Sequence, residues 1–352
     1  MLQSEIKNYL VDLGAFLSQF HIENSTPNNQ VKNNDLFFNK MLTLIENSQS
    51  YNGWFTAENV CFSLTSWANA LTDENLTKWL SNYTFSSTES KNIGLILAGN
   101  IPLVGFHDLV SVLVSGHNAV VKLSSNDQQL IKLLVNYLYS LDTRFEEKIT
   151  FIDGKLENFD AVIATGSNNT ARYFEYYFSS KPNIIRKNRN SVAVLTGNES
   201  KEDLINLGED IFRYFGLGCR NVSKLFIPKD YDFKLFFEAI YTYGDIIYYE
   251  KYANNYDYNK AVFLMSNFKL LDNEFLTLKE DTSYSSPISS IFYEKYNDLE
   301  TVLNRLEKDK DQIQCIVSNQ LESHHIPFGK TQKPELWDYA DNVDTLSFLG
   351  NL

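Results

Sequence analysis

Cys219 sits in "RYFGLGCRNVSKLFIP", residues 213–228, between a glycine-punctuated turn and a run of strand-forming residues. A thiol there is either a small buried apolar group or, as the thiolate, a nucleophile open to substrate. A second stretch, "ILAGNIPLVGFHDLVSVLVSGHNAVVKLSSND", reads as strand, polar turn, helix and strand. Its turn carries Asn100, which could cap a helix starting near Pro102, and its second strand runs out into Lys122, Ser124 and Ser125. A third stretch, "VIATGSNNTA", is a strand leading to Gly166, Ser167 and Asn168 at a helix start. Unpaired N–H groups and the helix dipole attract phosphate at such a place. No G-x-G-x-x-G follows the first strand, so the common dinucleotide fingerprint is missing.

The elements that must position these residues show in the apolar spacing. Residues 1–85 read as mainly helical, with an Asn/Pro-rich loop at "NSTPNNQVKNND". From residue 91 short apolar runs alternate with amphipathic segments. "NIGLILAG", "NAVVKLS", "ITFID", "DAVIATG" and "NSVAVLTG" are predicted strands, and "PLVGFHDLVSVLVSG", "DQQLIKLLVNYLYSL" and "NNTARYFEYYF" predicted helices. "KEDLINLGEDIFRYFG" is a helix with Leu204, Leu207, Ile211 and Phe215 on one face, a capping box from Ser200 and Asp203, and an end at Gly216 and Gly218. Farther on, "NKAVFLMSN", "SSIFYEK" and "IQCIVSN" read as strands and "DLETVLNRLEKDKDQ" as a charged helix. Such alternation predicts an α/β fold with a mostly parallel sheet.

Composition narrows the classes. A net charge of −13 over 352 residues disfavours nucleic acid and anionic lipid as partners. The cysteines, Cys61, Cys219 and Cys315, are odd in number and lack C-x-x-C spacing, against both a disulfide framework and a zinc site. Cys61 and Cys315 lie in apolar runs and read as core. His107 and His117 are too far apart to chelate, and adjacent His324 and His325 point apart, so no metal is expected. The start of the chain has no signal-peptide pattern, and the apolar region 93–121 is broken by Asn100, Pro102, His107, Asp108 and His117. The expectation is a soluble, cytoplasmic protein without integral membrane association.

In this order the motifs resemble the aldehyde dehydrogenase superfamily, where an Asn follows the first strand, a Lys ends the second, a Gly–Ser turn comes next and a Cys follows. Asn100, Lys122, Gly166–Ser167 and Cys219 hold those places, and "IPFGKTQ" is similar to the family's "PFGG.K". A narrower resemblance is to the LuxC-like acyl-CoA reductases, carried by "AGNIPLVGFHD", "NVSKLFIP", "PFGKTQKPELWDYADNVDTLSFL" and "WFTAENVCFSLTSWANAL". The resemblance implies a Rossmann-like cofactor domain over 1–195 (including the helical segment 1–85) and a smaller α/β catalytic domain over 196–330. It also implies that the segment 331–352 packs back on the cofactor domain.

By that resemblance Cys219 attacks an acyl thioester, and Asn100 and the Cys219 N–H stabilise the oxyanion. Lys122, Ser124, Ser125, Gly166, Ser167 and Asn168 hold NADP(H). The acyl donor is acyl-CoA or an acyl carrier protein, with an acyltransferase or acyl-protein synthetase as a further partner. The departures refine this picture. Arg186 stands where oxidising members carry the glutamate that activates water, and a guanidinium cannot take a proton at neutral pH. "KPSE" reads "KLSS", which removes a carboxylate that would repel a 2′-phosphate. Ala171 replaces the second Gly of the "GSTxxG" turn, and the later ribose-binding acidic position falls near Ser283. Two other readings stay open: oxidation of an aldehyde, and an acyl-carrying partner without catalysis of its own.

Overall fold

The computed structural model describes residues 1–85, 89–321 and 325–352. The chain forms two compact units, Met1–Lys187 with Glu335–Leu352, and Asn188–Pro334. The first boundary thus falls at 187/188 and not at 195/196, because the strand "NSVAV" is hydrogen-bonded into the second unit's sheet.

The first unit begins with helices α1 (Gln3–Leu17), α2 (Asn34–Glu46), α3 (Ser48–Tyr51), α4 (Ala57–Ala70) and α5 (Asp73–Leu80). Thr56 and Thr72 cap α4 and α5 by accepting the N–H of Asn59 and Asn75. Then come β1 (Asn92–Ile96), α6 (Phe106–Val114), β2 (Asn118–Lys122), α7 (Gln129–Leu141), α8 (Phe145–Lys148), β3 (Ile149–Phe151), β4 (Ala161–Thr165), α9 (Asn168–Phe178) and β5 (Asn183–Arg186). The strands form a five-stranded sheet in the order β3-β2-β1-β4-β5, every pair parallel. Helix α6 starts later than the sequence suggested. Gly105 is its N-cap, and Leu103 has φ +59°, outside helical geometry, so Asn100 is not the cap of this helix.

The second unit contains β6 (Asn190–Val194), α10 (Lys201–Phe212), β7 (Val222–Pro228), α11 (Lys234–Ile240), α12 (Glu250–Met265), β8 (Leu270–Asp272), β9 (Thr277–Glu280), β10 (Ser290–Tyr296), α13 (Leu299–Lys308) and β11 (Ile313–Val317). They make a six-stranded sheet, β11-β6-β7-β10-β9-β8, parallel except for the β8–β9 pair. The predicted capping box of α10 is present. "NKAVFLMSN", read as a strand, belongs to α12 for most of its length.

Residues 335–352 are held to the first unit by buried polar bonds. His107 Nε2 donates to the Leu336 carbonyl at 2.9 Å, and Trp79 Nε1 donates to Tyr339 Oη at 2.8 Å. His117 Nε2 donates to the Leu349 carbonyl at 3.0 Å while its Nδ1 accepts the Lys91 N–H at 3.2 Å, which defines one neutral tautomer. Arg186, at the end of β5, pairs with Asp108 of α6 and donates to Thr345 Oγ1 at 3.0 Å. Arg186 is 5% exposed and Asp108 3%.

Breaking a buried ion pair by removing one partner costs about 3–5 kcal/mol, since the other charge stays buried alone. Arg186→Met is therefore expected to lower the denaturant midpoint strongly, and the paired variant Asp108→Leu/Arg186→Met to regain much of the loss. A second expectation concerns pH. Burial, with Lys148 and Lys91 nearby, lowers the His117 pKa below 6.5, against the Leu349 carbonyl and Asp160. The unfolded chain then binds the proton first, so the contribution of His117 is full above about pH 6.5 and is lost as pH falls below it. Melting temperatures between pH 7.5 and 5.5 should fall more steeply for the wild type than for His117→Gln.

Candidate active site

β1 pairs in register with β2 on one side and β4 on the other: Ile96 lies opposite both Lys122 and Ala164. The chain leaves β1 toward β2 and leaves β4 toward β5, so strand order reverses between β1 and β4. Ligands of open parallel sheets bind at that reversal, beyond the carboxyl ends of the strands. The turns after β1, β2 and β4 all emerge there, and they carry Asn100, then Lys122, Ser124 and Ser125, then Gly166, Ser167 and Asn168.

Half-buried Asn100 is in a turn pressed against the one after β2. A Cβ on Gly99 would lie 2.7 Å from both Cβ and Oγ of Ser124, so only glycine lets the two turns meet. Ser124 Oγ accepts the Asn126 N–H at 3.3 Å, and Lys122 Nζ donates to the Gly154 carbonyl at 2.9 Å. Beside them is a cavity of about 280 Å³ whose walls include Lys122, Ser125, Gln128, Lys132, Phe151 and Asp153. Ser167 caps α9, its Oγ accepting the Thr170 N–H at 3.3 Å, and Asn168 is the exposed first residue of that helix. A Cβ on Gly166 would come 3.0 Å from Thr170 Cβ and 3.1 Å from Phe174, so this turn lies close over its own helix.

Cys219 belongs to the second unit, in the loop before β7. It is exposed, whereas Cys61 and Cys315 are buried in the cores, and burial pushes the Cys61 thiol up to about 11. After α10 the chain turns through Tyr214 (φ +54°), Phe215 (φ +58°) and Gly216 (φ +75°), which swings the backbone round to the cysteine. Phe215 consequently leaves the α10 face on which periodicity placed it and stacks on Tyr249. The Asn221 side chain holds this loop: Oδ1 accepts the Gly218 N–H at 2.8 Å, and Nδ2 donates to the carbonyls of Asp210 at 3.0 Å and Arg213 at 2.8 Å. The Cys219 carbonyl accepts Ser191 Oγ at 2.9 Å. Arg220 Nη1 lies 3.7 Å from Cys315 Sγ.

The "PFGKT" segment is held by the same helix end. The fully buried Asp210 carboxylate accepts the Gly329 N–H at 2.7 Å, the Thr331 N–H at 3.0 Å and Thr331 Oγ1 at 2.8 Å. Burial pushes its pKa up to about 6 against those donors. Asp210 and Asn221 were not among the residues picked from sequence. The available signal was the second acid of the Glu209–Asp210 pair, next to Ile211 of the apolar face of α10, and an amide two positions past the cysteine. Arg186 proves to be a buried structural pin, and Ser283 lies in the loop after β9, its N–H donating to Asp281 Oδ1 at 2.9 Å. His324 lies outside the described residues. Among the described residues no cluster of His, Cys, Asp and Glu could hold a metal ion, and no helix is long and apolar enough to cross a membrane.

Residues 71–235 match the family model described as acyl-CoA reductase (LuxC). The chain is LuxC-like. The matched span includes every residue from Asn100 to Cys219 discussed above. No curated protein matches the sequence. Solved structures that are similar include aldehyde dehydrogenase 21 from Physcomitrella patens in complex with succinate, at 12% identity and TM-score 0.68 over 100% of this chain and 84% of that one. Another is the indole-3-acetaldehyde dehydrogenase AldA of P. syringae in complex with NAD+ and IAA, at 12% identity and TM-score 0.64 over 92% of this chain and 74% of that one. A third is an NAD-dependent benzaldehyde dehydrogenase from Corynebacterium glutamicum, at 11% identity and TM-score 0.61 over 93% and 81%. This likeness establishes the α/β aldehyde dehydrogenase fold of the LuxC-like chain.

The Asn221 bonds give an expectation for the cysteine loop. Asn221→Ala leaves the Gly218 N–H and the carbonyls of Asp210, Ile211 and Arg213 without the Asn221 side chain, each loss of this kind costing about 1–3 kcal/mol where the group stays dry. A lower urea midpoint should follow. Alkylation of native wild-type protein should label Cys219 first, with Cys61 and Cys315 reacting only on unfolding.

Proposed function

We propose that this LuxC-like protein reduces an acyl thioester to an aldehyde through an acyl-enzyme on Cys219, with NADP(H) as the reductant. The observation that carries the reading is the exposed Cys219, in a built loop inside the LuxC-matching segment, set against two buried cysteines. An acyl-CoA or acyl carrier protein is the donor, an acyltransferase or acyl-protein synthetase supplies it, and the site of action is the cytoplasm.

The residues of the first unit suit a dinucleotide. Gly166 and Ser167 open an α9 N-terminus at the strand-order reversal, where a pyrophosphate finds N–H donors. The cavity beside β2 is walled by the ammonium groups of Lys122 and Lys132, the Ser125 hydroxyl and one carboxylate, Asp153; the two cations outnumber the carboxylate, which supports a 2′-phosphorylated ribose.

The Cys219 thiolate attacks the thioester carbonyl and the oxygen takes the negative charge; the carbonyl re-forms as the bond to the donor sulfur breaks, and that sulfur leaves as a thiolate that takes its proton from water. The Asn100 amide is assigned as an oxyanion donor; loss of one such donor typically raises the barrier by about 3 kcal/mol. A bound reduced nicotinamide supplies the hydride that the acyl carbon needs. The resulting thiohemiacetal on Cys219 collapses, its C–S electron pair returning to sulfur, and the aldehyde departs. Hydrolysis of the acyl-enzyme is slow on this reading because Arg186 is tied to Asp108 and Thr345 and offers no base.

Purified protein with long-chain acyl-CoA and NADPH should lose absorbance at the nicotinamide band and yield aldehyde, and Cys219→Ala should abolish both. An acyl adduct on Cys219 by intact mass without NADPH consumption would instead support the acyl-carrier reading. Neither turnover nor adduct with any acyl donor would remove Cys219 from the chemistry.

A further inference from the structure

We propose that Asp127 is a positioning residue for Asn100, fixing the turn 99–103 against the end of β2. The proposal rests on the function above only for what Asn100 does; the contacts themselves stand within the first unit. Asp127 is 3% exposed, and its Oδ2 accepts the Leu103 N–H at 2.8 Å. Leu103 has φ +59°, a left-handed conformation that costs a non-glycine residue about 1–2 kcal/mol. A charge-assisted or strong neutral hydrogen bond to its N–H is what offsets such a cost. On the other side of Asn100, Gly99 is pressed on Ser124, and the Asp127 N–H donates back to the Ser124 carbonyl at 3.2 Å. Both flanks of Asn100 are therefore tied to the segment 124–127, one by contact and one by the Asp127 side chain.

The chemistry of the side chain is unusual for a structural cap. Its other oxygen, Oδ1, is buried with no hydrogen-bond partner among the described residues. An ionised carboxylate in that position is costly, whereas the uncharged acid leaves a hydroxyl and keeps Oδ2 as the acceptor. Burial pushes the pKa up to about 7, opposed by the Leu103 N–H, and no charged side chain among the described residues contributes. The neutral acid and an asparagine amide are close in shape and both can accept from Leu103. Alanine and leucine cannot.

The test compares Asp127→Asn with Asp127→Ala, backed by Asp127→Leu, which keeps the buried volume that alanine removes. Hydrogen exchange of residues 97–105 in the full chain reads the turn directly and needs no turnover. Exchange should quicken at least tenfold in the alanine and leucine variants and stay near wild type in the asparagine variant. With acyl-CoA and NADPH, the alanine and leucine variants should lose at least tenfold in kcat, with KM for either substrate changed less than threefold. Asp127→Asn should retain kcat within threefold.

Unchanged exchange in both loss variants overturns the proposal, as does quickened exchange with wild-type kcat in an active enzyme. Failure of asparagine to rescue also overturns it, because the bond to Leu103 would then not be the cause. If the wild type shows no turnover, the proposed function fails, and the exchange result alone decides whether Asp127 holds the turn.

Discussion

Ile96 is paired in register with Lys122 on one side and Ala164 on the other, and the placement of the first unit's candidate residues depends on that alignment. Parallel strands need a crossover that returns the chain to the same starting edge, so each strand ends on the same rim. With β1 in the middle, its crossover going one way and that of β4 going the other, three turns open at one place. A register slip of one residue would turn the apolar side chains of β1 to the opposite face and carry Asn100 away from Ser124. The buried Ile93 and Leu95 of β1 and the Gly99–Ser124 contact are thus two consequences of one alignment.

Each unit then holds a turn with a buried aspartate, and the two solve the same problem differently. Asp210 receives three donors from Gly329 and Thr331, and its pKa stays near 6 despite complete burial. Asp127 receives one from Leu103, and its pKa lies near 7. Donors to a carboxylate favour the charged form and burial disfavours it, so three donors offset more of the cost of burying Asp210 than one donor does for Asp127. Asp210 can be an anion that organises a loop around itself. Asp127 is better suited to be a neutral acid that fixes one N–H.

Much of the fold was legible because parallel strands buried on both faces announce themselves as short apolar runs. "NIGLI", "NAVVK", "AVIAT" and "NSVAV" all form strands, and the motif residues at their ends could be read from the same runs. The strand "NIIR" was missed because four residues with an exposed start and an arginine at the end carry too little pattern. Helix α12 misled because its apolar tail, "AVFLM", buries only Phe263. Tyr252, Tyr256 and Phe263 face the core, while Leu264 and Met265 are exposed. Asp210 was hard to read as a site residue for another reason. A carboxylate's partner 119 residues away, such as Gly329 for Asp210, leaves no trace in local spacing.

Arg186 shows how far a single position can be read as chemistry. The resemblance places it where oxidising relatives of the superfamily keep a glutamate, which suggests that one substitution separates a reductase from a hydrolysing dehydrogenase. The structure makes that exchange more than local. Arg186 is the cationic half of a buried pair with Asp108 and the donor to Thr345, so a glutamate there would bring two carboxylates together in a dry site and release Thr345. Two carboxylates brought that close in a dry site repel each other, so the exchange would destabilise the packing unless Asp108 changed with it. Regaining the base would require Asp108 and the docking of the segment 335–352 to change together. On the proposed reading, the feature that would slow hydrolysis of an acyl-enzyme is the same Arg186 that docks the C-terminal segment through Thr345.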